Sequence, residues 1–337
     1  MLNIASAARM FGNGHLSTAA LRPYIKGGES CIAVNGKSMS TNAVALLQYD
    51  EWKDIDRTVI EVATKRLVGI RDLIAKGLVH RLGSIGQTIS LWERSSDMTA
   101  AQISMSGLNR SERDTQSFDT ATVPVPVIHK DFDLNLRRLE ASRIFGEGLD
   151  TTQSAVAGRV VAEASESMLF SGSAIQVDGG VIYGYLNHPD RNTVAITLSW
   201  TNAGKTGANI LTNVQAMLAA ARADFYFGPY TLYIPGAYEG KLDDDFNPGT
   251  SDTRTIRQRI MALEGIAEIV VADQMPADNV VLVQLERDVV DMAIAQDITT
   301  VQWDTQGGMQ QNFKVMAIWV PRVKSTLDGQ SGVVHMS

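Results

Sequence analysis

In 337 residues the chain contains a single cysteine, Cys31. No disulfide and no cysteine-based zinc site can form within one subunit, and a reducing setting is expected. No run of about 18 apolar residues occurs, and the opening MLNIASAARMFGNGH is broken by Arg9 and Gly12. Neither a membrane-spanning helix nor a secretory leader is therefore expected, and the product should be soluble and intracellular. Lysine is absent between Lys76 and Lys130. Positive charge is the minor sign, with 30 Lys+Arg against 37 Asp+Glu and a net charge of −7, which argues against broad electrostatic binding of nucleic acid.

With 45% apolar and 20% charged residues, the composition is that of a globular protein, without internal repeats or low-complexity segments. At about 150 residues per domain the length suggests two domains, or one carrying a large insertion. Residues 1–47, rich in Gly, Ser, Ala and Asn, read as an extended arm. From Ile55 the positions Val59, Ala63, Leu67, Ile70 and Ile74 recur at helical spacing, with Asp54 as cap and Gly77 as the stop. Residues 83–122 read as a long, solvent-rich hairpin, with alternation over Gln87–Trp92 and a possible strand near Gln102–Met105. Loops that long are uncommon inside compact domains and usually touch something else.

Val123-Pro-Val-Pro-Val-Ile-His129 should be an edge strand, because proline cannot supply a ladder N–H. A helix is expected from Asn135 through Leu136, Leu139, Ile144 and Phe145. A long helix then runs from Thr151 or Thr152 to about Phe170, with a stripe of Val156, Val160, Ala164 and Met168, ended by Gly172. Beyond residue 176, helices are expected over Ile210–Ala221 and after Asp252. Strands are expected at Tyr230–Ile234, Ile266–Val271, Val280–Leu285, Val289–Ala295 and Phe313–Val320, the last ended by Pro321. This is an α+β pattern.

Motifs for chemistry are weak. Gly204-Lys205-Thr206 matches the end of a phosphate loop, but Ser199 occupies the position of its required first glycine, so a polar turn before a helix is the better reading. Asp243-Asp244-Asp245 lacks the register of a calcium loop. His15, His80, His129, His188 and His335 are scattered and read as surface or interface residues rather than metal ligands. No nucleophile elbow is present. We expect no catalytic, cofactor-binding or metal site, and the chain is not expected to be an enzyme. The methionines and aromatics read as core, with Trp92 on the hairpin the exception.

Taken in order, four segments carry a resemblance: Val123-Pro-Val-Pro-Val-Ile-His-Lys-Asp-Phe-Asp-Leu-Asn135, Gly148-Leu-Asp150 before the long helix, Met168-Leu-Phe-Ser-Gly-Ser173, and Gly228-Pro-Tyr-Thr-Leu-Tyr-Ile-Pro235. Over residues 50–325 the chain resembles the major capsid proteins of tailed bacteriophages and their relatives the encapsulins. The resemblance implies the tailed-phage major capsid protein fold, with an N-terminal arm (1–47), a peripheral domain (48–82, 123–175 and 311–325) and its spine helix at about 151–171. An extended loop (83–122) would lap onto the next subunit, followed by an axial domain (176–310) and a C-terminal tail (326–337).

Function would then be structural. Copies would close into hexamers and pentamers, and these into an icosahedral shell around packaged double-stranded DNA, a virion capsid assembled in the host cytoplasm. A portal protein and scaffolding or decoration proteins are implied partners, and no membrane is involved. Trp92, Arg94, Arg110, Glu112, Arg113 and Asp114 are candidate inter-subunit contacts. Some such capsids crosslink through a loop lysine that attacks an asparagine of a neighbour. The lysine-free stretch 77–129 removes that reaction from the loop, so noncovalent stabilisation is expected. An encapsulin shell around an enzyme cargo is the alternative within the fold, and a cytosolic enzyme the alternative from another class.

Overall fold

A computed structural model describes residues 47, 49–106, 108, 113–135, 137, 140, 141, 144, 151–247, 254–305 and 310–337, together with backbone strands within 24–40. The chain divides into two compact units. The first draws on the described residues of Met1–Thr88, Val125–Ser167 and Ala293–Val320, and the second on Ile89–Pro124, Met168–Met292 and Pro321–Ser337. No described helix is long and apolar enough to cross a membrane.

The arm is more ordered than its composition predicts. Strands β1 (Tyr24–Lys26), β2 (Glu29–Val34) and β3 (Lys37–Ser40) form an antiparallel sheet, with Cys31 on β2. The pairs between these strands are Gly27-Gly28 and Asn35-Gly36, dipeptides that favour tight hairpin turns.

In place of the single helix expected from Ile55, two helices form, α1 (Tyr49–Arg66) and α2 (Gly69–Ala75). Asp54 lies inside α1 rather than at its cap. Val68, ahead of α2, offers no side-chain cap. The cap comes instead from Glu166 on α3 (Thr152–Ser171), whose carboxylate accepts the N–H groups of Gly69 (2.5 Å) and Ile70 (3.3 Å). An acceptor at orphan helix amides satisfies donors the helix cannot satisfy itself. Gly77 closes α2 as expected, at φ +72°, with its own N–H bonded to the Ile74 carbonyl and that of Leu78 to the Leu73 carbonyl.

Of the stripe expected to face inward on the long helix α3, only Met168 is buried. Val156, Val160 and Ala164 are exposed, whereas Ala157, Val161, Ala162, Ser165 and Glu166 are buried. Small size contributes to this: a Cβ on Gly158 would lie 3.2 Å from the Val59 side chain and 3.3 Å from its backbone, so α1 passes close to α3 where the side chain is missing. The buried polar groups are satisfied, since Ser165 accepts the Trp319 indole N–H at 3.0 Å. Gly172 stops the helix at φ +71°, as expected.

The first unit's sheet has the order β4 (Val79–Arg81), β14 (Val290–Thr305), β15 (Gln310–Val323), β7 (Val127–Asn135). The single strand expected over 123–129 divides instead: Val123 and Pro124 end the strand Phe118–Pro124, and β7 starts at Val127, beyond Pro126, which has no ladder N–H to give; β7 is an edge strand, and its Phe132 stacks on its register partner Phe313 at 5.0 Å. Both β14 and β15 outrun their expected lengths. Pro321 does not end β15, because the ladder with β7 has already finished at Ile318 and no N–H is needed there. The helix expected from Asn135 falls mostly outside the described residues.

In the second unit, β5 (Ile89–Ser95) pairs with β6 (Phe118–Pro124) in the predicted hairpin. The described residues between them hold no strand, so the one expected near Gln102–Met105 does not form. Ile103 and Met105 are fully exposed there, without a partner strand. β8 (Ser173–Val177) and β9 (Gly180–Ile182) pair beside it. The core is a five-stranded sheet, β10 (Asn192–Val194), β16 (Val333–Met336), β13 (Val280–Gln284), β11 (Tyr230–Ile234), β12 (Ile266–Val271). It is packed by α4 (Gly207–Ala223) through Ile210, Val214, Met217, Leu218 and Ala221, the predicted stripe.

A short turn, α5 (Glu239–Leu242), follows β11. Helix α6 (Ile256–Met261) is capped by Thr255, in a capping box with Gln258; Asp252, the expected cap, lies outside the described residues. The segment 326–337, expected as a tail, supplies β16, whose four residues are all buried.

Burial raises the Glu166 carboxyl to about 7 against the opposing pull of the Gly69, Ile70 and Val68 amides, and the nearby Asp72 adds to the rise. A carboxyl with a raised folded value favours the folded state at low pH, and that contribution fades as pH rises from its ordinary 4.5 through about 7. Glu166→Gln is expected to remove this part of the pH dependence of thermal unfolding. Glu166→Leu, which orphans the α2 amides that Gln can still accept, should cost about 1–3 kcal/mol more than Glu166→Gln in chemical denaturation at any pH.

Candidate inter-subunit surface

The foot of the hairpin is tied down by charge. Arg322 on β15 is buried and makes a two-pronged contact with Asp291 on β14, Nε to Oδ1 at 2.6 Å and Nη2 to Oδ2 at 2.5 Å. Lys324 adds a second cation at 2.8 Å from the same carboxylate. Arg322 Nη1 also donates to the Ser90 hydroxyl at 3.2 Å, and its guanidinium carbon lies 5.8 Å from the Trp92 ring centroid. Further along, the Leu327 N–H bonds to the Ser95 carbonyl, and Asp328 accepts the N–H of Asp97. On the other strand, a Cβ on Gly180 would meet the Thr122 carbonyl at 2.9 Å, so β9 packs against β6 at backbone distance. These groups surround a cavity of about 250 Å³ lined by Trp92, Arg94, Gly180, His188, Asp190 and Arg322.

Of the candidate contacts, Trp92 is half-buried at this foot, on its own unit. Arg94 bonds Asp119 across the hairpin at 2.9 Å and lies 3.9 Å from Asp190. Its bond is the main reason the Asp119 carboxyl is held below its usual value. Arg113 and Asp114 are exposed in the loop, with Asp114 accepting the N–H of Thr99 at 2.8 Å. Arg110 and Glu112 lie outside the described residues. The structure thus brings Trp92 and Arg94 together and leaves Arg113 and Asp114 on the loop. It also adds a feature that polarity-based reasoning passed over, a run of exposed apolar side chains between β5 and β6: Met98, Ile103, Met105 and Leu108.

The other motifs resolve structurally. Thr206 of the Gly204-Lys205-Thr206 segment is the N-cap of α4, accepting the Asn209 N–H at 3.3 Å. Asp243 and Asp244 pair with Arg257 and Lys241. No group of three or more His, Cys, Asp or Glu that could hold a metal is found among the described residues. His80 and His129 are exposed. His188 and His335, expected at a surface or interface, are instead buried in the second unit, where both interact with Arg191. Removing one member of a buried ion pair strands the other charge. Arg322→Leu or Asp291→Asn should therefore cost about 3–5 kcal/mol in denaturant unfolding. Arg113→Ala, on an exposed loop, should leave the unfolding midpoint unchanged.

The chain is 26% identical, over 286 residues, to the type 1 encapsulin shell protein EncA of Myxococcus xanthus, covering 82% of this chain and 90% of that one. Among solved structures it is similar to a virus-like particle from Pyrococcus furiosus, with a TM-score of 0.62, 16% identity, and coverage of 85% of this chain and 99% of that one. It is also similar to the capsid of Myoviridae phage XM1, with a TM-score of 0.59, 11% identity, and coverage of 77% and 88%. The fold is therefore that of tailed-phage capsid proteins and encapsulins, as the sequence resemblance implied. A family model matches residues 42–336, and the chain belongs to that family, the family of unknown function DUF6260.

Proposed function

We propose that this chain is a structural, non-enzymatic shell protein whose copies assemble through hexamers and pentamers into a closed icosahedral container for double-stranded DNA. The observation that carries the reading is the exposed apolar run Met98, Ile103, Met105 and Leu108 on the long hairpin of a capsid-type fold. Four apolar side chains in water, on a segment with little packing of its own, gain stability when a neighbouring copy covers them. In this reading the arm 1–47 and the loop 83–122 are the parts that reach neighbours. Residues 48–82, 123–175 and 311–325 form the peripheral domain, and 176–310 the axial domain. Trp92 and Arg94 orient the loop from its foot, whereas Arg110, Glu112, Arg113 and Asp114 meet the adjoining subunit.

The long arm and hairpin favour a genome container assembled in a host cytoplasm, with a portal and scaffolding or decoration proteins as partners. A second reading, an encapsulin compartment around an enzyme cargo, is supported by the 26% identity to an encapsulin shell protein over 90% of that protein's length. The contents separate the two readings. Particles from the native source should hold nuclease-protected double-stranded DNA under the first and a co-purifying folded enzyme under the second.

The expressed chain should give uniform hollow particles in negative-stain images. The double variant Ile103→Asp, Met105→Asp should give unassembled subunits with an unchanged unfolding midpoint, because both side chains are already in water in the subunit. Particles that form normally in that variant would remove the proposed role of the loop. Boiled denaturing gels of wild-type particles should show a single band near the 36.6 kDa subunit mass, since the hairpin has no lysine to crosslink.

A further inference from the structure

The second unit holds a cluster that its hydrogen bonds keep at one positive charge. Arg191 directly precedes the edge strand β10. Its Nε–H donates to Nδ1 of His335 at 3.2 Å, and its Nη1–H to the backbone carbonyl of His188 at 2.8 Å. Because His335 Nδ1 accepts, the ring's proton sits on Nε2, which donates to the Asn279 amide oxygen at 2.7 Å. His188 likewise uses Nδ1 as an acceptor, for the Asp190 N–H at 3.2 Å. A second proton on either ring would therefore point at an N–H that is already there. Both histidines are 5% exposed, so water cannot easily solvate the added charge.

We propose that Arg191, His188 and His335 form an acid-released latch that holds the edge strand β10 onto β16.

β10 is only three residues long, in parallel register Asn192↔Val334, Thr193↔His335 and Val194↔Met336, so its attachment depends on what flanks it. Asn192 adds a side-chain bond to Asp224 at 2.7 Å, and that bond is indifferent to histidine charge. Once His335 is protonated, its Nδ1–H faces the Arg191 guanidinium across a hydrogen-bond distance, and like charges there repel strongly. Arg191 then swings out and takes the start of β10 with it.

The charged groups facing the two rings differ, and at His188 a hydrogen bond to the Val323 carbonyl also favours the charged ring. Arg191 opposes protonation of His335. At His188, Asp190 favours protonation, while Arg94 and Arg191 oppose it. With burial as the main cause, both imidazoles are lowered from 6.5 to about 4. A base whose folded value is depressed contributes its full stability above its ordinary value of 6.5. That contribution is lost as pH falls from 6.5 toward about 4. The latch belongs to the folded chain and does not depend on what a shell encloses.

Hydrogen exchange of the full chain, corrected for the intrinsic pH dependence of exchange, tests this. Between about pH 7.5 and about pH 4.5, amides of residues 192–196 should lose protection about tenfold or more, while Tyr230–Ile234 and Val280–Gln284 keep theirs. His335→Gln, which retains an amide acceptor and donor but cannot take the charge, should keep 192–196 protected at the lower pH. Unchanged protection of 192–196 in the wild type, or acid loss of the same size in His335→Gln, overturns the latch. If that variant does not fold, the wild type alone decides: a loss spread evenly across all five strands is ordinary acid unfolding and overturns the proposal, whereas a loss confined to 192–196 upholds it.

Discussion

Glu166 lies in the interior of the long helix with its carboxylate turned to the backbone amides of Gly69 and Ile70, and much of the first unit follows from that contact. A helix that continued straight past Arg66 would bury those amides in its own ladder and leave a carboxylate without donors in an apolar interior. Breaking the helix at Leu67 and Val68 frees donors at the right place, and the carboxylate in turn makes the break stable. The same stretch of the long helix supplies Gly158, over which Val59 passes at close range, and Ser165, which takes the indole N–H of Trp319. Packing and polar satisfaction thus select one face of that helix, which leaves Val156, Val160 and Ala164 outside.

The second unit is organised differently. A buried sheet packed chiefly by α4, with α6 adding Ile256 and Ile260, supplies its stability, and the hairpin Ile89–Pro124 is fastened to that unit largely through side chains. Arg322 is the central fastening. Its guanidinium satisfies Asp291, reaches Ser90 and lies over Trp92, so three strands are held by one cation. A loop anchored at its foot, with four apolar side chains left in water, suits the proposed role of meeting another copy.

Local patterns carried much of the fold. Tyr230–Ile234 and Ile266–Val271 form strands with the predicted bounds, the helix stripe from Ile210 to Ala221 is buried as read, and Gly77 and Gly172 adopt the left-handed stops assigned to them. These features depend on neighbours a few residues away. Hydropathy ranks valine above serine and glutamate as a core residue, so the inward face of the long helix was misassigned; what buries Ser165 and Glu166 is a partner about 150 residues away for one and about 100 for the other. The latch was likewise illegible, because Arg191, beside His188, meets His335 across 144 residues of sequence.

The sequence by itself determined the α+β class, the shell-protein resemblance, the lone cysteine and the lysine-free hairpin, because composition, order of segments and short-range periodicity are properties of the chain alone. Tertiary structure decided which helix face is core, where the first helix breaks, that residues 333–336 form an interior strand of the five-stranded sheet, and which histidines are held neutral. Each of these turns on whether a buried donor or acceptor finds its partner, and that partner is supplied by a distant part of the chain.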